Sequence, residues 1–141
     1  MGAYVSAVML MIRAVILVRK MNEQGKSYNW TPPGGKLLEK PSVTGAFTVR
    51  ESDLEGLERI LRRDFLDVEI KGIVPYKEVK YSAIAGVPSM NKFYFVEMNG
   101  VNPNYQRLNS ARLFTSTHHV NLSPLSIELI TSLKTDKYLD F

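Results

Sequence analysis

The first long feature of the sequence is an almost continuously apolar segment over residues 5–20, rich in Val, Ile, Met and Leu, with Arg13 in its middle. Runs of this kind are typical of strands that are buried on both faces of a sheet. The segment therefore predicts two buried strands, or one long bent strand, at the centre of a sheet. The polar residues that follow, over 21–27, predict a loop.

Other segments carry weaker strand patterns. Apolar and polar positions alternate, or β-branched and aromatic residues cluster, at 43–50, 68–74, 76–83 and 92–98. Pro88 and its polar neighbours predict a turn over 88–91. The segment 102–116 has no periodic pattern and is predicted as a loop.

A helix is predicted to begin after Ser52, because Ser52 and Glu55 have the spacing of a capping box. The apolar residues that follow recur every three or four positions, so one face of the helix would pack on a core. They are Leu54, Leu57, Leu61 and Phe65. Gly56 within this helix costs about 1 kcal/mol relative to alanine. We therefore expect Gly56 to pack closely against a neighbouring element.

The last part of the sequence predicts a second helix, from Ser123-Pro124 to about Lys134. Its apolar positions lie on one side and are Leu125, Leu129, Ile130 and Leu133. Strands, a helix, further strands and a closing helix are the order of a mixed α/β domain. Without an internal repeat or a low-complexity tract, the pattern predicts one domain over residues 1–141.

Composition narrows the class of protein further. The chain has 141 residues, 45% of them hydrophobic and 23% charged, which is typical of a soluble globular protein. The absence of cysteine excludes a disulfide framework and a thiolate metal site. The apolar run is too short for a membrane span and lacks the preceding basic residues of a signal peptide. We therefore expect a cytoplasmic protein with no membrane partner.

Charge adds a weak preference for one kind of partner. The 18 Lys and Arg residues outnumber the 14 Asp and Glu residues, and positive charge favours partners that carry phosphate. Because the basic residues are dispersed, they argue against a nucleic-acid surface. The two histidines, His118 and His119, are adjacent and lack the spacing of a metal site, so they are predicted to lie in a loop.

The residues most suggestive of chemistry are 30–36, Trp-Thr-Pro-Pro-Gly-Gly-Lys, in which two prolines and two glycines predict an irregular loop. A glycine pair lets backbone N–H groups approach an anion closely, which suits phosphate, although ordinary turns use the same residues. Downstream, seven residues separate Glu51 from Arg59. The predicted helix then carries Arg62, Arg63 and Asp64.

Together these residues resemble the signature of the Nudix hydrolase family, whose members cleave nucleoside diphosphates linked to another moiety. A Trp-x-x-Pro-Gly-Gly-Lys run leads into that signature, and it is matched by Trp30, Pro33, Gly34, Gly35 and Lys36. The signature itself is G-x5-E-x7-R-E-U-x-E-E-x-G-U, where U is apolar. It is matched by Glu51, Arg59, Leu61 and Asp64. The resemblance implies a Nudix-like α/β/α sandwich with a mixed β-sheet.

The sequence departs from the signature in two respects. Fifteen residues separate Gly35 from Glu51 where the family has five, so about ten are inserted. Ile60 and Arg63 occupy acidic positions of the family's helix, and Leu66 occupies its glycine position. These changes move the local formal charge by +3, and each unit-charge pair 4 Å apart is worth roughly 4 kcal/mol at an effective dielectric near 20. The signature is degenerate, and we expect a metal site of ordinary affinity to be lost.

Two functions are compatible with the resemblance. In the first, the chain binds a nucleoside-diphosphate-type ligand or a partner with little or no hydrolysis, and needs no cofactor. In the second, it is an active pyrophosphohydrolase of nucleoside diphosphates linked to another moiety, and needs Mg²⁺ or Mn²⁺. The local charge favours the first. The expected partner is a nucleotide or a nucleotide derivative, while a homodimer or a protein partner stays open.

The resemblance also implies roles for individual residues. If the chain is active, Glu51, Arg59 and Asp64 are its catalytic residues, and Glu51 and Asp64 hold the metal. The residues implied to bind phosphate or nucleotide are Gly34, Gly35, Lys36, Arg62 and Arg63. Arg62 and Arg63 have a second interpretation, as solvated helix charges paired with Glu58 or Glu55. Glu51 also has a second interpretation, as a negative charge that interacts favourably with the positive end of its helix.

Overall fold

The computed structural model describes residues 3–11, 13–20, 29–84, 87–116 and 120–141. In these ranges the elements are β1 (Ala3–Val8), β2 (Leu10–Met11), β3 (Ala14–Arg19), β4 (Gly34–Lys36), β5 (Glu39–Pro41), β6 (Thr48–Arg50), α1 (Asp53–Asp64), β7 (Ile70–Ile84), β8 (Val87–Met98), β9 (Ser110–Phe114) and α2 (Pro124–Thr135). The predicted loop over 21–27 and the histidine pair His118 and His119 lie outside the described residues.

Two sheets form the middle of the fold. The first has the strand order β4-β1-β8-β7 and is mixed, since β1 and β8 are parallel while the other neighbours are antiparallel. The second, β2-β3-β9, is antiparallel. The apolar segment over 5–20 supplies the two buried strands that it predicts, because β1 and β3 each lie inside a sheet. Arg13, with a φ of 58°, lies in the turn before β3.

The helices cover opposite faces of these strands. In β3, Ile16 and Val18 belong to the buried cluster that contains Leu57 and Leu61 of α1. Val15 and Leu17, the alternate residues, belong to the cluster that contains Leu129, Ile130 and Leu133 of α2. Because successive side chains of a strand point to opposite faces, the two helices lie on opposite sides, and the architecture is an α/β/α sandwich. No helix in the described ranges is long and apolar enough to cross a membrane.

Both predicted helices are present. Glu55 N donates to Ser52 Oγ, and Ser52 N donates to Glu55 Oε1, each at 3.2 Å, which is the predicted capping box. Ser123 caps α2 by accepting a hydrogen bond from Ser126 N at 3.1 Å. The predicted apolar face of α1 is wrong at Leu54, which is 55% exposed. Leu54 lies one turn before the buried stripe, which begins at Gly56 and Leu57.

Several predicted strand and loop boundaries are wrong. The segments 68–74 and 76–83 are not two strands but contribute to the single strand β7, and 88–91 lies in β8 rather than in a turn. The reason is that β7 and β8 pair along almost their whole lengths as one long hairpin. Similarly, 102–116 is not wholly loop, because β9 finds its hydrogen-bond partners on β3. The pairing of β9 with β3 joins residues that are far apart in the chain and leaves no local pattern.

The segment around the glycine pair also differs from its prediction. Residues 34–36 are a strand rather than an irregular loop, because β1 supplies their hydrogen-bond partners. Of the strand predicted over 43–50, only Thr48–Arg50 is a strand, and it pairs with β5. The inserted residues therefore form a small hairpin, whose turn contains Gly45 at a φ of +73°.

Gly56 is packed closely against a neighbouring segment, as expected. A Cβ atom added here would collide with Cδ2 of Leu37 and lie 3.3 Å from Oε1 of Glu51. Leu37 directly follows β4 and is buried in the same cluster as α1. The missing side chain at Gly56 therefore lets α1 approach the end of β4.

Gly56→Ala should destabilise the protein, although alanine is the better helix former. The helix gains about 1 kcal/mol, but a methyl group forced against Leu37 and Glu51 is overpacking, which typically costs about 1–3 kcal/mol. We expect a net loss of up to about 2 kcal/mol in the free energy of unfolding, measured by urea denaturation. Glu58→Ala, which breaks only the exposed pair with Arg62 in the same helix, is the control and should change the free energy of unfolding by less than about 1 kcal/mol. A net gain for Gly56→Ala would contradict the packing.

Candidate functional site

Strand β4 carries both glycines of the predicted phosphate-binding motif, and we call it the glycine strand. A Cβ atom at Gly34 would collide with the carbonyl oxygen of Val5 in β1. At Gly35, a Cβ atom would lie 3.2 Å from Cδ1 of Ile60 in α1. Glycine at these positions therefore allows a close approach of the strand to β1 on one side and to α1 on the other.

Glu51 lies just before α1, and its side chain is only 1% exposed. Arg59 Nη2 donates to Glu51 Oε1 at 2.6 Å, and Arg59 Nε lies 3.1 and 3.2 Å from the two carboxylate oxygens. Arg59 Nη2 also donates to the carbonyl of Lys36 at 2.9 Å, while Leu38 N donates to Glu51 Oε1 at 2.8 Å. The hydrogen bonds from Arg59 lower the pKa of Glu51, although burial opposes them. This pair ties α1 to the end of the glycine strand.

Asp64, at the other end of α1, is also held by cations, and its side chain is 1% exposed. Arg63 donates to both carboxylate oxygens, from Nε to Oδ1 at 2.8 Å and from Nη2 to Oδ2 at 3.1 Å. Lys20 Nζ lies 3.5 Å from Oδ2 and donates to the carbonyl of Gly34 at 3.2 Å. We call Lys20, Arg63 and Asp64 the charge cluster.

The charge cluster lies against the glycine strand and carries a net positive charge. Nη2 of Arg63 lies 3.9 Å from the position that a Cβ atom of Gly35 would take. Burial lowers the pKa of Lys20, Asp64 opposes that effect, and Arg63 adds to it. The hydrogen bonds to Asp64 raise the pKa of Arg63. Two cationic side chains and one carboxylate give a formal charge of +1, and the side chains of Lys20 and Arg63 are 29% and 32% exposed to solvent.

The residues present do not fit a divalent metal ion. Mg²⁺ and related ions take several oxygen ligands, and the resemblance offers only Glu51 and Asp64. Both carboxylates are already paired, one with Arg59 and the other within the charge cluster. Ile60, at one of the signature's acidic positions, is fully buried. No group of three or more acidic or histidine side chains that could hold a metal occurs in the described part of the chain.

Arg62 points to different partners from Arg63. Its Nε donates to Glu58 at 3.0 Å and its Nη1 to the carbonyl of Val68 at 3.1 Å. The interpretation of Arg62 as a helix charge paired with Glu58 is confirmed. For Arg63 that interpretation is wrong, because its guanidinium pairs with the adjacent Asp64 instead.

A cavity of about 190 Å³ lies on the α2 side of the glycine strand. Its walls include Tyr4 of β1, Asn91 of β8, both glycines and Leu125 of α2. Tyr4 and Asn91 are register partners in the sheet. Asn91 is 3% exposed, and its Oδ1 has no hydrogen-bond partner within the described residues. The cavity therefore brings a buried, unpaired acceptor next to the glycine strand.

The sequence pattern singles out neither Lys20 nor Asn91. The available signal for Lys20 is its place directly after a buried strand, at the point where strand ends commonly carry functional side chains. Asn91 falls in the segment predicted as a turn, where asparagine is ordinary. Only its position opposite Tyr4 in the sheet reveals that it is buried.

Glu51→Gln should lower stability and weaken its dependence on acid. Because Arg59 lowers the pKa of Glu51 in the folded state, the ionised carboxylate stabilises the fold above the unfolded-state pKa of about 4.3. That contribution is lost as the pH falls through the lower folded-state pKa. We expect the variant to be about 2 kcal/mol less stable than the wild type at neutral pH, the worth of a hydrogen bond to a charged group. On acidification, the variant should lose less stability than the wild type.

Chemical denaturation at several pH values between neutral and acid measures both effects. Glu58→Gln, which breaks the exposed pair with Arg62, is the matched control and should change stability by less than about 1 kcal/mol. Equal acid sensitivity of the wild type and Glu51→Gln would contradict the role given to Arg59.

Comparison with known proteins identifies the fold. No protein-family model matches the sequence, and no curated protein sequence matches it. Among solved structures, a Nudix hydrolase from Nitrosomonas europaea is 15% identical, covers 98% of this chain and 91% of its own, and has a TM-score of 0.70. The Nudix domain of NrtR from Shewanella oneidensis, in complex with ADP ribose, is 19% identical and has a TM-score of 0.65. The match covers 96% of this chain and 87% of that domain's chain.

A third structure, the MutT Nudix hydrolase from Burkholderia pseudomallei, is 16% identical over 94% of this chain and 95% of its own, with a TM-score of 0.63. At these identities the similarity establishes the fold. It agrees with the mixed sheet between two helices. The chain therefore has the fold of the Nudix hydrolases, an α/β/α sandwich with a mixed β-sheet.

Proposed function

We propose that this Nudix-fold chain binds a nucleoside-diphosphate-type ligand at the glycine strand without hydrolysing it through a metal ion. The observation that carries the proposal is the charge cluster. Asp64, the last acidic residue of the signature, is bonded on both oxygens by Arg63 and lies 3.5 Å from the amino group of Lys20. Two cations of the chain itself thus lie beside the carboxylate that a metal would need.

The electrostatics of this arrangement oppose a divalent cation. A metal ion at Asp64 would meet the positive charges of Arg63 and Lys20 at close range, where each unit-charge repulsion is worth roughly 4 kcal/mol at an effective dielectric near 20. It would also have to displace the hydrogen bonds that Arg63 makes. Glu51 offers no replacement, because Arg59 holds it at 2.6 Å.

The same electrostatics favour an anion. A guanidinium has five N–H donors, and Asp64 accepts one from Nε and one from Nη2 of Arg63. Both donors of Nη1 and the second donor of Nη2 are left for a ligand. Arginine binds phosphate well because its planar donors match two oxygens. Lys20 adds a second positive charge beside Gly34. We propose that Arg63 and Lys20 are the principal phosphate contacts. The adjacent residues of the glycine strand, which complete the proposed site, are Gly34, Gly35 and Lys36.

The class of ligand is proposed from the fold and the charge together. The similar NrtR domain was solved with ADP ribose, a nucleoside diphosphate linked to a sugar. In this chain, a diphosphate would balance the positive charge of the charge cluster. A cavity large enough for one ring system lies next to the charge cluster. The alternative, a pyrophosphohydrolase that uses Mg²⁺ or Mn²⁺ on Glu51 and Asp64, would first have to free both carboxylates from their arginines.

Binding of ADP-ribose with and without divalent metal tests the proposal. We expect calorimetric binding in EDTA, no strengthening by Mg²⁺ or Mn²⁺, and no AMP or ribose phosphate in chromatograms of the incubated mixture. Arg63→Gln should weaken binding roughly ten- to hundredfold, because charge-assisted hydrogen bonds are lost. Arg50→Gln removes the same charge from the inserted hairpin and is the control, with unchanged affinity expected.

Each part of the proposal has an experimental outcome that would contradict it. Metal-dependent turnover that disappears in Glu51→Gln would establish the hydrolase and refute the proposal. Equal weakening by Arg63→Gln and Arg50→Gln would show that net charge, rather than the charge cluster, attracts the ligand. Thermal melts of each variant keep loss of binding separate from loss of folding.

A further inference from the structure

Asn91 is a buried polar side chain whose amide oxygen lacks a hydrogen-bond partner among the described residues. It is 3% exposed and lies within β8, where its register partners are Tyr4 of β1 and Val79 of β7. Its Oδ1 accepts no hydrogen bond from any described residue. A buried amide oxygen without a partner is unfavourable, and in native proteins such an atom calls for a specific explanation. A ligand that donates to Oδ1 is one such explanation.

The surroundings of Asn91 indicate which kind of ligand group would donate to its Oδ1. The adjacent cavity of about 190 Å³ is smaller than the roughly 300–1,000 Å³ of pockets for drug-sized ligands, so it suits one flat ring system. Tyr4 contributes an aromatic wall and Leu125 an aliphatic one. The other polar side chains that line the cavity are Ser6, Thr31 and Ser89. Apolar walls with a few polar groups are the usual design of a ligand site, and they suit a heterocyclic base.

The cavity and the charge cluster are connected through the two glycines of the glycine strand. Gly35 lines the cavity, and Nη2 of Arg63 lies 3.9 Å from its Cβ position. Gly34, which also lines the cavity, accepts the hydrogen bond from Lys20 through its carbonyl. A ligand whose phosphates contact Arg63 and Lys20 therefore has a base-sized cavity immediately across the glycine strand.

We infer that Asn91 is the specificity-determining residue for the base of the ligand, and that this base presents an N–H donor to Oδ1, as the amino group of adenine does. The inference rests on the proposed function, because the charge cluster must first bind the phosphates. A base without a donor on that edge leaves Oδ1 buried and unpaired in the complex. Sites built on such a hydrogen bond reject analogues that lack it.

The test compares ADP with purine riboside diphosphate, which has the same phosphates and ring but lacks the amino group. Calorimetry of the wild type in EDTA should show at least tenfold tighter binding of ADP, equivalent to about 1.4 kcal/mol. Asn91→Leu keeps a similar volume and removes the acceptor, so it should bind both ligands alike. Its melting temperature without ligand should not fall, because an unpaired buried oxygen has been removed.

The outcomes separate this inference from the proposed function. Equal affinities of the wild type for the two ligands would overturn the role of Asn91 and leave anion binding at the charge cluster intact. Failure of both ligands to bind would overturn the proposed function and the inference together. The comparison in the wild type decides the matter even if Asn91→Leu does not fold.

Discussion

The arrangement of the site depends on the pairing of two buried carboxylates with cations of the same chain. Glu51 and Asp64 lie at the two ends of α1, each with a side chain 1% exposed. An ionised carboxylate removed from water must be paired and hydrogen-bonded, or it becomes strongly unfavourable. Arg59 pairs with Glu51, and Arg63 with Lys20 surrounds Asp64. Through Arg59 and Lys20 these groups also bond to backbone carbonyls in the glycine strand, so the same contacts hold α1 against β4.

This pairing determines which chemistry the site favours. Carboxylates gathered without cations attract a metal ion, whereas Glu51 and Asp64 are already paired with cations of the chain. What remains at the surface is the positive side of the charge cluster, formed by half-buried Lys20 and Arg63. Anion binding therefore requires no change in the ion pairs of the fold. Metal binding would require breaking at least one of them.

The sequence predicts the features that depend on residues close together in the chain. The capping box at Ser52, the close packing of Gly56 and the start of α2 at Ser123 follow from local spacing, and all are present. The exposed position of Leu54 is not anticipated, because helical periodicity does not specify which turn of the helix meets the sheet.

The features that the sequence does not predict depend on long-range pairing. Strand β9 is specified by its partner β3, far away in the chain, and the length of the β7–β8 hairpin is set by pairing across the hairpin rather than by the pattern of either strand alone. Lys20 joins Asp64 only because β3 ends beside the glycine strand, and Asn91 is buried only because β8 lies next to β1. Local propensity assigns asparagine to turns and lysine to solvent, and the sheet overrides both.

A manganese titration followed by NMR tests the central claim, that cations of the chain have replaced the metal at Asp64, most directly. Paramagnetic Mn²⁺ broadens the amide signals of residues near its binding site, so the backbone amides of Gly35 and Asp64 report on this position. No saturable broadening of these two signals is expected in the wild-type protein, with or without ADP-ribose. Saturable broadening of both signals at submillimolar Mn²⁺ would contradict this claim.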